Sequence, residues 1–153
     1  DTNAPGSVRK PTRRKPPSPR YSEICLITSS VPIKVKIKEK TLDAKFSLFI
    51  RNRDGWRCQY PGCGLYVPPP TNVIQCSHFY GRTARSVRYD EENCDAICSK
   101  HHQFLEGRKN AEYTWWKQQQ LGPKRFKALR DRYVKTKQWS EKEKRELLER
   151  LTP

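Results

Sequence analysis

Between Tyr21 and Lys40 the apolar residues Ile24, Leu26 and Ile27 are followed by Ile33, Val35 and Ile37, which alternate with Lys34, Lys36 and Lys38. A period of two with β-branched side chains predicts a strand with one cationic face, so 21–40 reads as an N-terminal β segment. From Thr41 the period lengthens. Leu42, Phe46, Phe49 and Ile50 recur at helical spacing and Asp54-Gly55 then supplies a turn, which predicts a helix of about ten residues. Residues 58–64, Cys-Gln-Tyr-Pro-Gly-Cys-Gly, set two thiols on a Pro/Gly turn, and Pro68, Pro69 and Pro70 mark a rigid loop. Val73 to His78 reads as a short strand, Gly81 to Asp90 as a polar loop, and Glu91 to Leu105 as the start of a helix.

Downstream, Asn110 is placed to cap a helix carrying Tyr113, Trp115 and Trp116, and Pro123 suits the first position of another containing Phe126, Leu129, Tyr133 and Val134. Ser140 with Glu143 forms a capping box ahead of Leu147, Leu148 and Leu151. Residues 109–153 therefore read as a basic helical extension. At the other end, residues 1–20 combine six Lys and Arg with five Pro and a single Asp, the composition of a disordered basic arm.

Charge narrows the partner. The 153 residues hold 32 Lys and Arg against 16 Asp and Glu, a formal charge of +16, and such an excess points to a polyanion. The length suits one domain with appendages. With 34% apolar residues and 12 Pro, the core must be small, so something besides apolar burial is expected to help hold it. The longest apolar runs, such as Ile24 to Ile27, fall far short of the roughly 18 residues of a membrane span. No membrane partner is expected.

Five of the six Cys (58, 63, 76, 94, 98) and all three His (78, 101, 102) lie between positions 58 and 102. A disulfide framework would explain the Cys but not the His. Mixed Cys and His at short spacing in a basic chain favour zinc in a reducing, cytoplasmic setting. Zinc takes four ligands in a tetrahedron, usually as two pairs on tight turns, and Cys58-x4-Cys63 with Cys98-x2-His101 are two such pairs. The plainer alternative, buried reduced thiols, leaves the paired spacing unexplained. Cys76 and Cys94 could each replace one of these ligands, but neither has a close pairing partner, and both read as core thiols.

What remains is Ser77-His78-Phe79 and the run from Glu92-Asn93-Cys94 to Cys98-Ser-Lys-His101-His102. This set resembles the HNH endonucleases, the ββα-metal family, over about residues 46 to 106. Asn93 precedes Cys98 by five positions and His102 by nine, as in that family, with His101 where its second Cys usually stands. The resemblance implies an α+β fold: a zinc-stabilised ββα-metal finger spanning 41–108, with the flanking strand before it and the basic helical extension after it. It implies that His78 is the general base, since imidazole has a pKa suited to deprotonating water near neutrality. It also implies that Asn93 and His102 hold a catalytic Mg²⁺ or Mn²⁺, which neutralises charge developing on the scissile phosphate. Many members place Asp or His just before the base as a further ligand. Here that residue is Ser77, so the cation would have few protein ligands, which suits Mg²⁺. Arg82, Arg85 and Arg88 lie between base and ligand, where they could either clamp phosphates or simply be solvated.

Phe46 to Arg53, Gly81-Arg82-Thr83 and Arg88 to Asn93 carry a second likeness, to the phage NinG (Rap) recombination nucleases. It implies branched recombination or replication intermediates as substrate, and a phage-encoded protein acting in a bacterial host. The expected function is thus metal-dependent hydrolysis of DNA. The rival is a noncatalytic zinc-bound nucleic-acid adaptor, which has no reason to keep His78 and Asn93 at this spacing. Cutting two strands with one site per chain would favour a homodimer.

Overall fold

The structure, a computed structural model, describes residues 36–107 and 111–152. The expected basic arm at 1–20, most of the β segment and the Asn110 cap lie outside the described residues. Where the β segment can be followed, it is not a strand: 36–38 are irregular and helix α1 spans Glu39–Arg53. The Ile37 amide explains why, because it donates to the Glu141 carboxylate at 2.9 Å rather than to a neighbouring strand. Lys38 enters with extended backbone and Glu39 adds an acid to the first turn, where the helix dipole favours negative charge. Leu42, Phe46 and Ile50, four residues apart, form the fully buried face of α1.

Two antiparallel strands follow, β1 at Ile74–His78 and β2 at Cys94–Cys98, with His78 opposite Cys94 and Ile74 opposite Cys98. Helix α2, Ser99–Gly107, begins at the residue after β2. The helix expected to start at Glu91 is therefore a 3-10 turn, Glu91–Asn93, then a strand, and only then a helix. All five residues of β2 are buried. A strand covered on both faces shows no alternation to read.

Each face of the hairpin has its own cover. Cys76 and Cys94 pack with Leu42, Phe46 and Ile50 of α1. On the other face Ser77 and Asp95 meet Tyr113 and Lys117 from helix α3, Ala111–Tyr133. That helix breaks at Gly122, whose φ of 71° leaves the helical region, and Pro123 opens the second half, as its lost amide hydrogen allows. Helix α4, Glu141–Arg150, has the full capping box of Ser140 and Glu143. Its Leu147, with Leu151 just beyond, joins the α1 cluster. Residues 111–152 are thus not an appendage; they complete the core on both sides of the hairpin. The result is a small α+β fold with a two-stranded sheet and four helices among the described residues. None of these helices is long and apolar enough to cross a membrane.

Candidate metal centre and adjoining cleft

Cys58 and Cys63 come from the turn after α1. Cys58 donates its amide to the Leu65 carbonyl at 2.9 Å and Cys63 to that of Tyr60 at 3.0 Å, and Gly64 turns the chain with a φ of 57°. Cys98 ends β2 and His101 lies in the first turn of α2, so the strand-to-helix junction brings the second pair together. Ligand atoms of all four residues fall within 4.8 Å of one another. His101 Nδ1 is 3.6 Å from Cys58 Sγ and 3.3 Å from Cys98 Sγ. Zinc bonds of about 2.3 Å to sulfur and 2.05 Å to nitrogen at the tetrahedral angle separate S and N by about 3.6 Å. The cluster is therefore spaced to hold a structural metal such as zinc. Cys58 and Cys98 are 3% exposed, and the Tyr60 ring stacks on His101 with centroids 4.1 Å apart. Burial pushes the Cys58 thiol up to about 12, so a thiolate in this pocket needs a cation beside it.

His78 ends β1. Its Nε2 lies 3.0 Å from the Arg88 carbonyl oxygen. A carbonyl only accepts, so Nε2 carries the proton and the lone pair is on Nδ1. Burial pulls the imidazole pKa down to about 4, and the ring is neutral at pH 7. The cleft beside it, about 520 Å³, is lined by Ser77, His78, Tyr80, Glu106 and Tyr113 among others.

His102 sits on α2. Its Nδ1 is 2.7 Å from Gln75 Oε1 and its Nε2 is 3.2 Å from Glu106 Oε1, one helical turn on. With Nδ1–H donated to Gln75, Nε2 offers a lone pair beside a carboxylate. The sequence reading missed Glu106, although its position four residues after His102 already places both on one face of a helix.

Asn93, expected to hold the catalytic cation, has another task. It is fully buried. Its Nδ2 donates to the Val87 carbonyl and its Oδ1 accepts from the Tyr80 amide, both at 2.9 Å, while its own carbonyl accepts from Phe79 at 2.8 Å. It ties the two ends of the 79–93 loop together, and these bonds occupy both polar ends of its side chain. Two of the three loop arginines are likewise engaged. Arg88 donates to Asp43 at 3.0 and 2.6 Å and to Glu39 at 3.3 Å; Arg85 reaches Glu39 at 2.5 Å and Gln138 at 2.9 Å. These pairs fix the loop to α1 instead of leaving both guanidinium groups for phosphate. Arg82 lines a smaller cleft with Lys40 and His78.

Ser77, with 2% exposure, belongs to a buried network. Lys117 Nζ donates to Asp95 Oδ2 at 2.6 Å, Gln120 donates to Asp95 Oδ1 at 2.8 Å, and the Tyr113 hydroxyl lies 3.3 Å from both Ser77 Oγ and Asp95 Oδ2. No protein-family model, curated protein or solved structure matches the chain.

Proposed function

We propose that this chain is a metal-dependent DNA endonuclease of the HNH type, with zinc as a structural ion and one Mg²⁺ or Mn²⁺ at the reaction centre. The observation that carries the reading is the order β1, β2, α2, with the helix starting at the residue after β2. It sets a neutral His78 at the end of the first strand, His102 with Glu106 on the helix, and the Cys58, Cys63, Cys98 and His101 cluster at the base of the hairpin.

In this reading the Arg88 carbonyl fixes the His78 tautomer, so Nδ1 takes the proton of the attacking water. His102 and Glu106 would hold the divalent cation, which supplies charge neutralisation at the phosphate. Asn93 is a positioning residue, keeping the loop that delivers the Arg88 carbonyl. The net charge of +16 favours DNA, and the NinG-like residues favour branched forms of it.

The adaptor reading draws on one observation. Ser77, where many HNH enzymes carry a metal ligand, is buried against Tyr113. One experiment separates the two. His78→Ala and Glu106→Ala proteins are compared with the parent for binding and cleavage of linear, nicked, single-stranded and four-way-junction DNA with and without Mg²⁺. The nuclease reading expects binding to persist and cleavage to fall at least about 10²-fold in His78→Ala. Equal cleavage by parent and His78→Ala refutes the base. No Mg²⁺-dependent cleavage by the parent supports the adaptor.

A further inference from the structure

Cys76 and Cys94 are buried thiols, 6% and 0% exposed, and the Cys58 cluster does not use them. They are not isolated from chemistry. His78 is directly opposite Cys94 in the hairpin and two residues from Cys76, so all three side chains share the face that packs on α1. A ligand atom from each falls within 4.8 Å of the other two. This is a second Cys/His constellation, built on two rigid strands.

Three further features bear on what it would take. The Nε2–H of His78 is held by a backbone carbonyl, the outer hydrogen bond that normally orients a metal-ligating imidazole. Two thiolates and one divalent cation sum to zero charge, and a neutral complex is the form that a pocket walled by Phe46 and Leu42 tolerates. Cys76 and His78 also line a cleft of about 280 Å³ that Lys40, Asp43 and Arg82 border. A fourth position toward that cleft is thereby available to a water or an anion. Two sulfurs and one nitrogen select a soft or borderline cation over Mg²⁺.

We propose that Cys76, His78 and Cys94 form a second, three-ligand site for Zn²⁺, and that filling it silences the chain by occupying the His78 lone pair. The metal site stands on its own geometry; the silencing rests on the nuclease reading. Excess zinc then acts as an inhibitor competing for the residue that would activate water, while zinc at the Cys58 cluster remains structural.

The test uses the full chain, metal-stripped and kept reduced, titrated with Co²⁺ while thiolate-to-cobalt charge-transfer absorption is followed. The parent should take two equivalents with that absorption, and Cys76→Ala/Cys94→Ala one. His78→Ala, which leaves all thiols in place, should hold its second equivalent at least tenfold more weakly and serves if the double variant does not fold. Saturation of the parent at one equivalent overturns the site, as does a His78→Ala titration that matches the parent. In the cleavage assay at fixed Mg²⁺, a second equivalent of Zn²⁺ should abolish cutting. Cutting that persists with the site filled overturns the silencing. A chain that binds two equivalents and never cuts DNA keeps the site and overturns both the silencing and the reading beneath it.

Discussion

Lys117 and Asp95 form an ion pair with 1% and 0% side-chain exposure, N to O 2.6 Å. The pair joins α3 to β2 at the strand position directly opposite Ser77. Replacing Lys117 by Met keeps the aliphatic stem but strands the carboxylate, which would still accept from Gln120 and Tyr113 yet lose its countercharge. Removing one partner of a buried pair costs roughly 3–5 kcal/mol. At about 2.1 cal/mol/K per residue, unfolding the ~115 residues described carries an entropy near 0.24 kcal/mol/K, so the melting temperature should fall by roughly 12–20 °C. Calorimetry on zinc-loaded protein reads this directly. The double variant Lys117→Met/Asp95→Asn removes both charges and keeps an acceptor for Gln120. It should recover at least about 2 kcal/mol of the loss, the coupling expected of groups that touch. If Lys117→Met melts within about 1 kcal/mol of the parent, the pair does not anchor α3.

Asn93→Ala orphans the Tyr80 amide, while the Val87 carbonyl keeps the Asp90 amide as a donor; at about 1–3 kcal/mol for a buried unsatisfied group, urea unfolding should show a loss of at least about 1 kcal/mol. Burial alone would raise the Asp43 carboxyl, but its hydrogen bonds and charge pairing with Arg88 hold it below its ordinary value of 3.8. A depressed carboxylate contributes stability that is complete above that value and lost as the pH falls through the folded one. Asp43→Asn should therefore flatten the acid limb of the stability curve below about pH 4 and lower the plateau at pH 7. Deleting residues 1–20, with six basic residues and one acid, should weaken binding to all DNA shapes alike, and the log–log salt slope should shrink by about 0.9 for each phosphate the shortened chain no longer neutralises.

The parts of the fold readable from sequence were those with local chemistry. The two Cys/His pairs announce themselves because each is confined to one turn, and the Ser140 capping box and Pro123 need only their neighbours. Strand β2 offers no such local signal: Cys94-Asp95-Ala96-Ile97-Cys98 is buried throughout, and a charged residue inside a run without alternation does not suggest a strand. Nothing local marks the role of Lys117, whose partner is 22 residues away and on another element. The same holds for Arg85 and Arg88, whose acids sit on α1. Trp115 and Trp116, alike in sequence, divide: Trp116 is buried and Trp115 is 58% exposed. At the described end of the lysine alternation, 36–38, the chain is irregular because Ile37 is held near α4, through its amide on Glu141 and its packing beside Leu147 and Leu151, a contact with no local signal.

Whether a zinc-pinned finger here cuts DNA with a divalent cation is tested most directly by nicking of supercoiled plasmid. The protein is first loaded with one equivalent of zinc per chain, and is assayed with Mg²⁺ and again after Mg²⁺ is withheld. Nicked product should accumulate with time in Mg²⁺, stop without it, and resume when it is restored. Zinc-loaded, folded protein that binds the plasmid and leaves it intact under every Mg²⁺ and Mn²⁺ condition would contradict the nuclease reading.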